Sequence, residues 1–357
     1  MNLRYYLCII TIFTAGHSEN VNFPMWPYAF VYSDAEVIGI GDVSLFVKGP
    51  LATFHNPANN DSSIVFSISV MYDARTSDTG SHWGGDDIGF SPQSIGAIYP
   101  GVGKGNLGIL FQKLMKWQGT YMNTDTIIGN SSLSNIALGY SYPISLEMNM
   151  GIAAYITLGT SKFSWNLNNI EATSEYNAYG IGLVASNSLK LKNTIFALRY
   201  LTPTYLRGNE LFQMSNSSTT NTIRDKIPWE INGGIKQLLS SSVICAVQIT
   251  YKNWQRFEGD FAWGDHEWQI KGGLGFRPFE HLDVKLGSFM QQFYQSADLP
   301  IITKGDANVI FLTGSVCFET RFIKTAIGLG KTVFIEHSSL SFYPKRFLIS
   351  LNFSMFP

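Results

Sequence analysis

Few residues in this chain are of types and spacings that could do chemistry. The six histidines are His17, His55, His82, His266, His281 and His337. None stands with a serine or a glutamate at the spacing of a hydrolase elbow or a zinc-protease pair. A triad assembled only in space, as in a lipase, is the one enzyme reading left, and the chain is read as no enzyme. Asp73, Asp78, His82, Asp86 and Asp87 gather near Trp83 and offer oxygen ligands to a divalent cation. Their spacing fits no loop motif, so they read as an acidic solvated loop, with no metal and no cofactor expected. Trp254, Trp263 and Trp268 form a third cluster. It could stack on a sugar or a lipid, but an aromatic girdle at a membrane interface explains it without a ligand.

The elements that would position such residues follow from composition. Charged residues make up 14% of the chain, against roughly 25% in soluble domains. Aromatics also reach 14%, with 25 Phe, 17 Tyr and 8 Trp. Low charge with many aromatics suits a wall that faces lipid. The net charge of −1 leaves no electrostatic footprint for nucleic acid. Residues 1–18 read as a signal peptide: Arg4, then the apolar run Tyr5 to Phe13, then small Ala15, Gly16 and Ser18. Cleavage after Gly16 or after Ser18 fits equally. The apolar run is too short for a spanning helix of about 20 residues. Beyond it no apolar stretch reaches that length, so a membrane could be crossed only by a closed barrel.

Strict alternation marks the strands. Val243, Cys245, Val247, Ile249 and Tyr251 alternate with Ala246, Gln248, Thr250 and Lys252, and Trp268, Ile270, Leu274 and Phe276 alternate with Glu267, Gln269, Lys271 and Gly273. About fourteen such segments run from residue 63 to the end. Short connections at 101–104, 143–145, 240–241, 278–280 and 319–320 alternate with longer ones at 74–91, 117–132, 159–174, 202–227, 254–265, 293–306 and 334–341. Short periplasmic turns against long outer loops are the rhythm of bacterial outer-membrane barrels. The fold class is therefore all-β, a transmembrane antiparallel barrel over residues 63–357. Residues 19–62, with four prolines and poor alternation, read as an N-terminal plug inside the lumen, which is too wide for side chains alone to fill. The alternative is a disordered periplasmic tail.

The segment Gly39-Ile40-Gly41-Asp42-Val43 through Phe54-His55-Asn56-Pro57-Ala58 resembles the hatch of the FadL family, of the FadL and TodX type. A second stretch resembles its strand–loop–strand pattern: Pro228 and Gly234, Tyr251-Lys252-Asn253-Trp254, Trp263-Gly264-Asp265, Gly273, Gly275 and Leu286-Gly287. The likeness covers the whole mature chain in architecture and about a third of it in motifs. It implies an outer-membrane channel for passive uptake of hydrophobic compounds such as long-chain fatty acids, monomeric in the lipid of the outer membrane. The other readings are an accessory barrel for protein secretion or surface attachment, and a general porin.

In that family ligand is first caught between the third and fourth outer loops, here 159–174 and 202–227. The implied contacts are Phe163, Trp165, Leu167, Leu206, Leu211, Phe212 and Met214. A fatty-acid carboxylate in the lumen would need a cation, and alternation turns Arg199, Lys252, Lys271 and Lys285 inward. Glu267 and Asp283 stand near enough to neutralise two of them. Asn56, Pro57 and Ala58 are the hatch motif, expected to hold a tight turn. The likeness also implies sideways release at a distortion of strand three, where Gly105 and Gly108 could mark a bulge. By parity Cys245 should meet lipid and Cys317 the lumen, three strands apart and unbonded.

Overall fold

The computed structural model describes residues 34–60, 63–76, 83–85, 89–122, 126–167, 170–214, 217–253, 266–295, 305–337 and 345–357. Residues 1–33, where a signal peptide and the first part of the plug are expected, lie outside the described residues, as do Asp78, His82, Asp86, Asp87, Trp254 and Trp263.

Fourteen antiparallel strands close into one barrel. They are β1 (Val65–Thr76), β2 in two pieces (Trp83–Gly85 and Gly89–Val102), β3 (Gly105–Met122), β4 (Thr126–Pro143), β5 (Met148–Leu167) and β6 (Ile170–Leu191). Next come β7 in two pieces (Thr194–Leu201 and Thr204–Met214), β8 in two pieces (Ser217–Ile227 and Trp229–Leu238), β9 (Val243–Asn253) and β10 (His266–Phe279). The rest are β11 (Leu282–Gln295), β12 (Gly305–Glu319), β13 (Ile323–His337) and β14 (Lys345–Met355). β7 and β8 break side by side at Pro203 and Pro228, which bring no N–H to a ladder. The barrel closes where β14 returns to β1, from Phe66 opposite Met355 to Thr76 opposite Lys345. Each described strand is thus paired to a neighbour on both sides along part of its length, as a closed barrel requires.

The outer wall carries a belt of exposed Ile, Leu, Val and Phe, among them Leu138, Ile152, Ile181, Leu198, Ile249 and Leu274. Tyr200, Trp229, Tyr251 and Trp268 stack across β7 to β10 at ring separations of 6.3, 5.3 and 4.7 Å. That ladder is the expected girdle, with Trp268 in it.

The strands β3 to β8 run much farther outward than alternation indicates. The loops expected over 117–132, 159–174 and 202–227 are largely strand: β5 reaches Leu167 and β6 begins at Ile170. With 22 residues, β6 has about twice the 9–11 that span a bilayer. Outside lipid neither face needs to be apolar, so alternation fades while the ladder continues. On the outer face Ser132 bonds Thr160 at 2.8 Å, and Lys162 pairs with Glu175, both in exposed positions.

Inside lies the plug. Its elements are α1 (Ala35–Gly39), a 3-10 turn at Ser44–Phe46, α2 (Ala52–His55) and a second 3-10 turn at Pro57–Asn59. Asp34 caps α1 by accepting the Glu36 N–H at 2.8 Å. Nearly every residue from Asp34 to Leu45 and from Gly49 to Ala58 is buried. The plug backbone touches the wall so closely that glycine is required there. A Cβ on Gly287 would lie 2.2 Å from Gly41 N, and one on Gly151 would lie 2.1 Å from Ala58 N.

Candidate functional site

From β8 round to β1 buried ion pairs tie the inward face of the lumen together, beside an apolar cluster of Met71, Phe289, Val309, Phe311 and Leu348 with Ile38 of α1. Lys271 Nζ meets Asp42 Oδ2 at 2.5 Å, Lys252 meets Glu267 at 3.1 Å, and Arg346 holds Asp73 through two nitrogens at 3.2 and 2.7 Å. Glu36 on α1 receives both Lys285 at 3.0 Å and Lys324 at 2.9 Å. Burial opposes ionisation of Glu36, but these two lysines outweigh it and hold the carboxyl well below the usual range. Asp34 lies beside them, accepts from Asn352 Nδ2, and among the described residues has no cation within ion-pair distance. Burial first, and Glu36 second, push its carboxyl up to about 7.

From β3 to β8 the inward face mixes apolar side chains with buried Gln112, Asn135, Thr157, Ser174 and Glu210. Leu110, Leu114, Leu133, Tyr155, Phe163, Tyr176, Leu206 and Ile227 form one cluster with Leu51 and Phe54 of the plug. Edge-to-face contacts join Phe163 to Tyr176 at 6.3 Å and Phe54 to Tyr155 at 5.2 Å. The stripe runs from the outer extension of the barrel down to the plug. At its base Arg199 donates through Nε to the Phe54 carbonyl at 3.1 Å, pairs with Glu230 at 2.5 Å and covers the Phe54 ring at 4.9 Å. His55 meets Gln112 at 3.0 Å. Burial, with the Arg199 charge, lowers its imidazole to about 3, so it is neutral at physiological pH.

The hatch motif does what its residue types indicate. Asn56 Nδ2 donates to the Leu45 carbonyl at 2.8 Å, which Asn59 Nδ2 also reaches at 2.9 Å. Pro57 opens the second 3-10 turn, and Ala58 N donates to Ser186 Oγ on β6 at 3.0 Å. The motif thus joins the turn at Ser44–Phe46 to the wall.

The wall is broken between β2 and β3. Among the described residues their ladder ends at Ser94 and Gln112, and it resumes only at Gly85 opposite Gly119. Pro92 brings no N–H, Gln93 is the extra residue against β1, and its side-chain amide donates to the Lys113 carbonyl at 2.7 Å. Leu114 is the extra residue against β4. Strand three is therefore distorted at Lys113–Met115; Gly108 sits in regular ladder, while Gly105 faces a register shift at Pro100–Val102 beside the turn from β2.

The expected binding residues divide accordingly. Phe163 and Leu206 are buried in the apolar stripe, and Phe212 shares the inward face with Glu210. Leu211 points outward and Met214 is exposed at the tip of β7, while Trp165 lies in β5 opposite Ile127 and Ala172. All six are strand residues rather than loop residues. Arg199, Lys252, Lys271 and Lys285 are inward as expected, but each already faces a carboxylate. Three of the four bind the plug. Glu267 does neutralise Lys252, whereas Asp283 takes Arg277 at 2.6 Å instead of Lys285. Asp73 of the acidic cluster belongs to β1 and binds Arg346. Tyr155, Tyr176, Leu110 and Leu133 belong to no sequence motif, and only their inward parity on strands of mixed character marks them.

No family description and no curated protein sequence matches this chain. Solved structures do. A FadL homologue of Pseudomonas aeruginosa superposes with a TM-score of 0.66 at 13% identity, over 92% of this chain and 98% of that one. The toluene transporter TbuX of Ralstonia pickettii gives 0.67 at 11%, over 91% and 98%. The toluene transporter TodX of P. putida gives 0.65 at 10%, over 91% and 99%. The chain has the fold of the FadL-type outer-membrane transporters, a fourteen-stranded barrel with an N-terminal plug.

Proposed function

We propose that this chain is an outer-membrane channel for passive uptake of hydrophobic compounds, long-chain fatty acids among them. The observation that carries this reading is the apolar stripe from Phe163, Tyr176 and Leu206 down to Phe54 of the plug. A water-filled general pore would have no use for it. The plug blocks straight passage, and the break at Gln93 and Lys113 stands next to Leu110 and Leu114, where the stripe meets the wall. A compound descending the stripe would leave sideways into lipid there. The neighbours TbuX and TodX are toluene transporters, which supports an apolar cargo. The barrel acts as a monomer, since its exposed apolar belt is suited to lipid all round.

The test is uptake of a labelled long-chain fatty acid by cells carrying each variant. Phe163→Ser and Leu206→Ser should reduce uptake, and Phe212→Ser should do so to a smaller extent. Leu211→Ser, on the outer face, should leave it unchanged. Wild-type uptake no greater than that of barrel-free cells, across several hydrophobic substrates, would overturn the proposal.

A further inference from the structure

On the opposite side of the plug a cavity of about 790 Å³ opens among the short turns, and its chemistry differs from that of the stripe. One wall is apolar: Ile40, Val43 and Phe46 of the plug pack with Ile244 and Ala246 of β9. The remaining lining holds six cationic side chains against three carboxylates. A chain of net charge −1 has therefore gathered an excess of positive charge at this one place.

The three carboxylates are already engaged. Glu36 joins Lys285 to Lys324, Glu319 lies 3.5 Å from Lys324, and Asp283 is gripped by Arg277 at 2.6 and 3.0 Å. Among the described residues Lys48, Lys236 and Arg321 have no carboxylate within ion-pair reach, and of these three Lys236 shares the inward face of β8 with Glu230 and Asn232 and is half-buried at the cavity wall. A half-buried ammonium group beside other lysines is held against repulsion, and an anion would relieve it. Next to it the apolar patch can take a hydrocarbon tail.

We infer that this vestibule binds an amphiphile whose anionic head group sits at Lys236 and whose acyl chain lies on Ile40, Val43, Phe46 and Ile244. The head is a carboxylate or a lipid phosphate, since both offer oxygens to an ammonium donor. The site stands apart from the uptake path, and it can be tested without any transport.

The experiment uses the full barrel in nanodiscs of phosphatidylcholine, with a palmitate probe carrying a photoreactive diazirine on its chain. Crosslinked peptides are mapped by mass spectrometry. The wild type should be labelled in the Val43–Phe46 and Ile244 peptides. Lys236→Glu should cut that labelling at least several-fold and Lys236→Arg should retain it, with labelling near Phe163 and Tyr176 unchanged in both. The methyl ester of the same probe should not label the vestibule. Nanodiscs containing phosphatidylglycerol then identify the source. Displacement of the probe by this lipid assigns the site to a phosphate head group, and persistence of the probe assigns it to a free carboxylate. Heat-modifiable migration confirms that each variant is folded. No vestibule labelling in the wild type, or equal labelling by acid and ester, would overturn the inference, as would labelling that Lys236→Glu leaves intact.

Discussion

Gly151 on β5 faces the backbone of Ala58 so closely that a Cβ there would stand 2.1 Å from the Ala58 nitrogen. The plug is thus seated by backbone against wall as well as by side chains. On its other flank Cys317 is buried beneath Ala35 of α1, and it is a free thiol. Reactivity of Cys317 therefore reports whether α1 is docked.

Gly151→Val should displace the second 3-10 turn, at an overpacking cost of about 1–3 kcal/mol. The outer belt is untouched, so the barrel should still assemble. Planar-bilayer conductance should rise several-fold over the wild type, and the plug should become open to protease. A variant with wild-type conductance would show that this contact does not seat the plug.

Asn56→Ala should loosen the same region more mildly. Loss of its bond to the Leu45 carbonyl should cost about 1 kcal/mol, because Asn59 still reaches that oxygen. The Asn56→Ala, Asn59→Ala double variant leaves the carbonyl without either donor, and its cost should exceed the sum of the single ones. Thermal unfolding of the four proteins measures the difference, and the single variants should leak small polar solutes less than the double.

Lys271→Met should strand Asp42 without its cation inside the lumen, which costs about 3–5 kcal/mol for a buried pair. Replacing both, as Lys271→Met with Asp42→Leu, should recover most of that loss. The readout is the rate of Cys317 modification, which should rise in the single variant and fall back in the double.

Docking of α1 should weaken as pH rises through the neutral range. Asp34 ionises near 3.8 when free and at about 7 when docked, with burial as the main cause. Its contribution is complete below pH 3.8, declines between 3.8 and 7, and is absent above that. Glu36 acts in the opposite sense, since its docked carboxyl is lowered; its contribution holds above its usual 4.5 and falls in acid. Between pH 4.5 and 7 the remaining slope belongs to Asp34. Cys317 modification should therefore quicken across that range in the wild type, relative to a free-thiol control, and stay flat in Asp34→Asn.

Much of this architecture was legible in the chain. Alternation placed fourteen strands in order and turned Arg199, Lys252, Lys271 and Lys285 inward. It also put Cys317 in the lumen and left Cys245, with exposed Val247 and Ile249, on the lipid side. Those features are local: a strand between lipid and lumen must show two different faces, and period 2 records them. The outer halves of β3 to β8 escaped the same reading because water lies on both sides of them.

Partnership was decided by closure of the barrel around its plug. Lys285 reaches Glu36, 249 residues away, while its near neighbour Asp283 turns to Arg277. Lys271 reaches Asp42 across 229 residues, and Arg199 reaches the Phe54 carbonyl across 145. The wall breaks at Gln93 and Leu114, where registers on both sides must be reconciled, rather than at Gly105 and Gly108, where the family likeness implied a distortion. Pairings over such separations depend on how the sheet curves and where the plug lodges. Sequence spacing carries no record of either.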